Sequence, residues 1–301
     1  MRKIYNKVLR KFIKKTFSFW QMFGFHITPN HFYEPIPDTK KLKNNLWQGY
    51  SNLIGIDMNG KKQLKLLSYF VSNFKKEYES FLKEKTSIPY KYYVNNRSFA
   101  STDGEVLYCM IRFLKPKKVV EIGSGFSTYL LTEAILKNKK ENNINTELII
   151  IDPYPSKVLE KGLPEFSKLI KKEVQDVSLS FFHKLKENDI LFIDSSHTLK
   201  IGSDVQYEYL EILPSLNVGV IIHIHDIFLP LEYPKEWILK YHRFWTEQYL
   251  LQAFLIFNNV FEVLWGGSYM HLKHSKLLKS VFSSYNPKTI IPGSFWMRKK
   301  I

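Results

Sequence analysis

Four acidic residues stand at or next to the ends of runs with strand character: Glu121 in Val119-Val120-Glu121-Ile122, Asp152 after Leu148-Ile149-Ile150-Ile151, Asp194 after Ile190-Leu191-Phe192-Ile193, and Asp226 after Val220 to His225. A carboxylate placed there can accept hydrogen bonds from ligand hydroxyls or assist a proton transfer. The first acid leads directly into Gly123-Ser124-Gly125-Phe126-Ser127-Thr128. Glycines let the backbone turn with positive φ and admit a ligand close to the main chain, and a following helix offers its open N–H groups. This is a strand, a glycine turn and a helix start, the opening of a nucleotide-type α/β unit. Side chains alternate along Ile221 to His225, so His223 and His225 share one face. His225 and Asp226 then stand at the ligand edge, with His223 in the interior, while His197, three residues after Asp194, is a second acid–base candidate.

Alternating elements must position these groups. Apolar spacing predicts helices over 63–82, from Ser101-Thr102-Asp103 to about Phe113, and from Leu130. A strand at Leu148–Asp152 is followed by a stretch from Ser156 to about Ile170 that contains a helix, weakened in its middle by Gly162 and Pro164, and by a short third strand at Lys171–Val174, ending at Gln175-Asp176. A short helix at Leu179–Leu185, a fourth strand at Asp189–Asp194, a helix opened by Ser203 with Gln206, and a fifth strand at Val218–Ile224 complete the series. Such alternation specifies a parallel sheet with helices on both faces, with ligands beyond the carboxyl ends of the strands. One long aromatic helix is expected over 238–257. Two late strands, Phe261–Trp265 and one within Gly293–Arg298, are expected to pair antiparallel without a full helix between them.

The chain has 301 residues, 45% of them hydrophobic and 16% aromatic, so a large core is available and global disorder is excluded. Lys and Arg number 44 against 28 acids, a net charge of +16 that reads as spread along the chain and favours anionic neighbours. Cys109 is the only cysteine, which excludes an internal disulfide or a cysteine zinc site and fits a reducing, cytoplasmic compartment. No stretch approaches the ~18 apolar residues that span a bilayer. Residues 1–23 alternate Arg2, Lys3, Lys7, Arg10, Lys11, Lys14 and Lys15 with Ile4, Val8, Phe12, Ile13, Phe17, Phe19 and Trp20. That is a basic amphipathic helix, suited either to docking on its own domain or to peripheral contact with an anionic membrane. Residues 24–90 read as an N-terminal helical extension or cap, and 91–301 as the main domain.

From about residue 90 onward the chain resembles the class I S-adenosylmethionine-dependent methyltransferases. The resemblance rests on Glu121-x-Gly123-x-Gly125, Asp152, Asp176, Phe192-Ile193-Asp194-Ser195-Ser196-His197 and Val220 to Asp226. Asn30 to Asp38 and Ile227-Phe228-Leu229-Pro230 are similar to a bacterial subgroup with an N-terminal extension, often associated with surface-polysaccharide or secondary metabolism. The resemblance implies a Rossmann-like, seven-stranded, mostly parallel sheet with helices on both faces, an antiparallel C-terminal strand and a helical N-terminal extension. It implies S-adenosylmethionine as cofactor and O-methylation of a small-molecule or sugar hydroxyl.

Carried over by residue, Gly123, Ser124 and Gly125 approach the methionine portion, with Glu121 supporting the turn or the ammonium. Asp152 accepts from the ribose hydroxyls, Asp176 or its neighbour meets the adenine amino group, and Tyr93, Asn95 and Phe99 close over the cofactor. Asp194 lies near the sulfonium and the acceptor, with His225 as base, Asp226 beside it and His197 as the alternative. Catechol-type relatives bind magnesium through an acid after the fourth strand and an Asp-Asn pair after the fifth. Asp194 and Asp226 match, but Ile227 replaces the Asn, so no metal is assigned and these two acids are the candidates if magnesium binds. Trp237, Tyr241, Phe244 and Trp245 are candidates to line an acceptor pocket or the core. A nicotinamide or flavin dehydrogenase would want a third glycine near Thr128 and an acid earlier than Asp152. A non-catalytic scaffold would make the strand-end acids mere helix caps. No nucleic-acid module is present in the sequence.

Overall fold

The computed structural model describes residue 9, residues 11–163 and residues 166–301, with two compact units: Met1–Gly49 with Pro234–Phe244, and Tyr50–Tyr233 with Trp245–Ile301.

The second unit is built on one seven-stranded sheet of order β3-β2-β1-β4-β5-β7-β6. Its strands are β1 Lys118–Ile122, β2 Glu147–Ile151, β3 Phe166–Ile170, β4 Ile190–Ile193, β5 Ile221–Ile224, β6 Phe261–Gly266 and β7 Phe295–Lys299. Pairings among β1 to β5 are parallel, and β7 runs antiparallel to both β5 and β6. Apolar residues of both parities drive this sheet. Val119, Leu148, Ile150, Ile190 and Phe192 join one core, while Val120, Ile122, Ile149, Ile151, Leu191 and Ile193 join the other. Each fully buried aliphatic side chain is worth about 1.5–3 kcal/mol, so the central strands are costly to expose.

The first core is closed by α1 Gly60–Tyr78, α2 Asp103–Leu114, α3 Phe126–Asn142 and, near the C-terminus, the helix Gly267–Val281. The α1 helix buries Leu67, Phe70, Phe74 and Tyr78 among the side chains of α2, so residues 60–78 share the core of the main sheet. The second core is covered by the segment Asp204–Ser215 and by the helix Glu247–Leu255.

Three local expectations need correction. The helix expected within 156–170 is Lys157–Glu160, ending before Gly162 turns with φ +83°, and β3 lies at Phe166–Ile170 instead of at 171–174. Residues 171–173 are exposed and 174–176 form a 3-10 turn, because Lys171-Lys172-Glu173 cannot be buried as a strand. The aromatic span 238–257 is two helices, Lys235–Leu239 and Glu247–Leu255, separated by a break in which His242 has φ +53°. The β6 and β7 strands do pair antiparallel, yet the helical stretch Gly267–Val281, kinked at His274, lies between them. Its lysines mask the stripe Met270, Leu278 and Val281 that buries it.

The first unit corrects the reading of charge. Its 60 residues carry thirteen Lys and Arg against three acids, so +10 of the net +16 lies there. Residues 1–8 and 10, on which part of the amphipathic helix falls, lie outside the described residues. Residues 11–15 and Phe17–Met22 are helical. Among the described residues no helix is long and apolar enough to cross a membrane.

Candidate active site

The two glycines after β1 are needed for different reasons. Gly123 has φ +78°, and a Cβ there would lie 2.0 Å from the backbone oxygen of Asp194. Gly125 is extended, at φ 178°, and a Cβ would meet nothing within 4 Å, so the open space beside it is available to a ligand. The Gly125 N–H donates to Thr128 Oγ1 at 3.0 Å and starts α3.

Glu121 is fully buried beneath this turn and accepts from the hydroxyls of Ser127 at 2.6 Å and Thr128 at 2.7 Å. Burial pushes its carboxyl up to about 8 despite those two donors. It ties the strand to the helix and does not line the cleft.

The cleft has a volume of about 620 Å³ and is lined by Gly123, Asp152, Tyr154, Gln175, Asp194 and Ser196 among others. Asp152 accepts from the Ser124 hydroxyl and, at 2.8 Å, from the Tyr154 N–H. Asp176 stands exposed on the 3-10 turn, while its neighbour Gln175 lines the cleft with Oε1 buried and without a hydrogen-bond partner among the described residues. Tyr93 packs edge-on against Phe126 at 5.2 Å between ring centres, and Asn95 is exposed and donates to Glu84 at 2.6 Å; neither lines the cleft.

Beyond Asp194 the carboxyl edge carries a buried polar network. His197, at φ +57°, places Nε2 3.3 Å from Asp194 Oδ1 and 3.7 Å from Asp226 Oδ2. Its Nδ1 lies 2.8 Å from Glu247 Oε2, and its ring packs against Trp245 at 4.3 Å. The His197 carbonyl accepts from the N–H groups of Thr246 and Glu247, which docks the start of helix Glu247–Leu255 on this loop. Burial opposes its charge, but Asp194 and Glu247 raise the imidazole well above its ordinary value. Asp194 is lowered, because the cationic imidazoles of His225 and His197 outweigh its burial.

His225 is buried against Phe99, 4.7 Å between ring centres, with Nε2 3.6 Å from Asp226 Oδ1 and no partner for Nδ1 among the described residues. His223 stacks on Phe192 at 4.0 Å, and burial lowers it well below the ordinary imidazole range, so it is neutral. Asp226 adopts φ +54° against Gly293, whose carbonyl accepts from the Ile227 N–H at 2.8 Å. Buried Asp103, at the start of α2, accepts from the N–H groups of Gly293 and Ser294 at 2.9 and 3.0 Å. In the sequence Asp103 reads only as part of a helix start, and nothing local marks Glu247, because the aromatic pattern of 238–257 runs through the break before it.

Asp194, Asp226 and His197 bring three donor atoms within 4.8 Å of one another. Two carboxylates and an imidazole suit a nitrogen-tolerant divalent ion better than magnesium, which prefers six oxygens. The buried, apolar Ile227 adds no ligand to this set.

A 3-2-1-4-5-7-6 sheet with a glycine turn after β1 and an acid after β2 facing one cleft defines an α/β enzyme that binds a nucleoside cofactor. Residues 120–227 match the family model described as a methyltransferase domain. An uncharacterized protein of Archaeoglobus fulgidus is 34% identical over 169 residues, covering 54% of this chain and 75% of that protein. Among solved structures, the chain is similar to the apo form of CalS11, a TDP-rhamnose 3'-O-methyltransferase of calicheamicin biosynthesis, at 12% identity and TM-score 0.42 over 85% of this chain and 99% of that one. An O-methyltransferase of Bacillus cereus in complex with SAH shows 13% identity and TM-score 0.37 over 78% and 91%. By the family-model match, residues 120–227 are a methyltransferase domain.

The residues present fit S-adenosylmethionine, the cofactor that the resemblance implies: the open space beside Gly125 suits its methionine portion, and in the cleft the Asp152 carboxylate suits its ribose hydroxyls and the orphaned Gln175 Oε1 an adenine amino group. A methyltransferase domain leaves the dehydrogenase alternative without support.

Proposed function

We propose that the protein methylates a hydroxyl group of a small molecule or sugar, with His197 as the group that receives the hydroxyl proton. The observation that carries this reading is the double engagement of His197: Glu247 holds Nδ1, while Nε2 faces Asp194, a residue of the cofactor cleft. When the imidazole is neutral, a carboxylate on Nδ1 selects the tautomer whose Nε2 carries no proton and can accept one. His225, in contrast, has an unanchored Nδ1 and a ring covered by Phe99.

Bound S-adenosylmethionine supplies an electrophilic sulfonium methyl. When bound, it would give that methyl to the acceptor oxygen, with the electron pair of the broken methyl–sulfur bond leaving on sulfur. Asp194 sits at the junction of cleft and network, where its negative charge favours both the sulfonium and an oriented acceptor hydroxyl. The hydroxyl proton passes to His197 Nε2, and Glu247 stabilises the imidazolium that results. Because Asp194 and Glu247 raise this imidazole, the neutral form able to act as base gains population as pH rises.

The test is transfer of labelled methyl from S-adenosylmethionine to a panel of phenols, activated sugars, amines and carboxylates. Ether products with phenols or sugars, lost in His197→Ala, are expected. Labelling of amines or carboxylates alone would overturn the hydroxyl assignment, and full activity of His197→Ala would overturn the base.

A further inference from the structure

We infer that the first unit is a lipid-binding module that seats on an anionic membrane surface through the helical segment 11–22 and its aromatic neighbours. At 100° per residue, Phe12, Ile13, Phe17, Phe19, Trp20 and Phe23 fall within an arc of about 160°, and Lys11, Lys14, Lys15, Ser18 and Gln21 fall on the opposite side. Thr16 lies inside the apolar arc, but its hydroxyl is satisfied: it donates to the Phe12 carbonyl at 3.1 Å and accepts from the Trp20 indole at 3.2 Å. Met22 is the one apolar residue out of place.

An amphipathic helix in a globular protein normally buries its apolar stripe against the core. Here Phe12, Phe19 and Phe23 are 59%, 51% and 58% exposed, and helix Phe17–Met22 contains no buried residue. None of the described residues up to Gly49 is buried. His31, Phe32 and Tyr33 form a second aromatic cluster, with Phe32 and Tyr33 exposed and their rings 4.2 Å apart. In the other segment of this unit, Arg243 lies over the Trp237 ring at 5.0 Å and Lys240 over Tyr241 at 5.2 Å. Large exposed apolar surface on a strongly cationic unit calls for a partner that is apolar below and anionic above. A leaflet of anionic lipids has that layering. Aromatic side chains enter the acyl boundary while lysines stay at the headgroups. A nucleic acid would satisfy the +10 charge but leave the phenylalanines in water.

The experiment is co-sedimentation of the full chain with phosphatidylcholine vesicles, with and without about one quarter phosphatidylglycerol, at low and high salt. Binding to the anionic vesicles that weakens with salt, and little binding to the neutral ones, is expected. Phe12→Ser/Phe19→Ser/Phe23→Ser should weaken vesicle binding by at least about tenfold. Lys14→Gln/Lys15→Gln should weaken it about fivefold for each lysine. Affinity for S-adenosylmethionine should be unchanged in both variants, which separates lost membrane binding from misfolding. Absence of binding to anionic vesicles at low salt, or equal binding by the wild-type chain and both variants, would overturn the proposal. So would tighter binding to an oligonucleotide that persists in the phenylalanine variant.

Discussion

Glu247 Oε2 lies 2.8 Å from His197 Nδ1, a contact between residues fifty positions apart that joins the loop after β4 to the start of the helix Glu247–Leu255. A carboxylate there positions the ring and raises its affinity for protons. Replacing His197 with Ala should keep cofactor affinity while lowering kcat by on the order of 10²–10⁴. Glu247→Gln should lower kcat less and move the rising limb of the pH–rate profile to lower pH, because a neutral amide no longer holds the imidazole charged. An unmoved limb would remove Glu247 from the role of positioning His197.

The glycine turn offers a contrast between stability and binding. Gly123→Ala combines a left-handed backbone with a Cβ that would clash with Asp194, so it should lower the melting temperature. The backbone strain alone costs about 1–3 kcal/mol. Gly125→Ala meets neither obstacle and should fold normally. Its added methyl occupies the space left for the cofactor, so calorimetry should show weakened S-adenosylmethionine binding in an otherwise stable protein. Normal binding by Gly125→Ala would move the cofactor away from this turn.

Asp152→Ala tests the cofactor's ribose contact. Removing a charged acceptor of hydrogen bonds should weaken S-adenosylmethionine and its demethylated product by about 1.5–3 kcal/mol, read by titration calorimetry. NAD should not bind to either form.

Glu121 makes a prediction about stability and pH. Its folded-state carboxyl titrates at about 8 against an ordinary 4.5, so the folded chain holds a proton that the unfolded chain has lost in that interval. Folding stability contributed by this site therefore falls as pH rises from 4.5 to about 8. Glu121→Gln has no proton to lose. In denaturant unfolding, its stability relative to wild type should rise across that window, and a constant difference would show that Glu121 is charged in both states.

Much of this architecture was legible in the residues. Runs such as Leu148-Ile149-Ile150-Ile151 and Ile190-Leu191-Phe192-Ile193 announce strands buried on both faces, and Gly123-Ser124-Gly125 announces the turn between β1 and α3. These signals are local, since periodicity and glycine conformation act within a few residues. The residues do not locate the third strand, because Phe166–Ile170 is an edge strand with charged neighbours, and only its pairing with β2 makes it a strand. The helix break before Glu247 left no local mark either, because the aromatic pattern runs through it. The pairing of Glu247 with His197, the clash that excludes a side chain at Gly123, and the exposure of Phe12, Phe19 and Phe23 all depend on which distant segments meet. No periodicity encodes such meetings; they follow from the order of strands in the sheet and from what the packed cores leave uncovered.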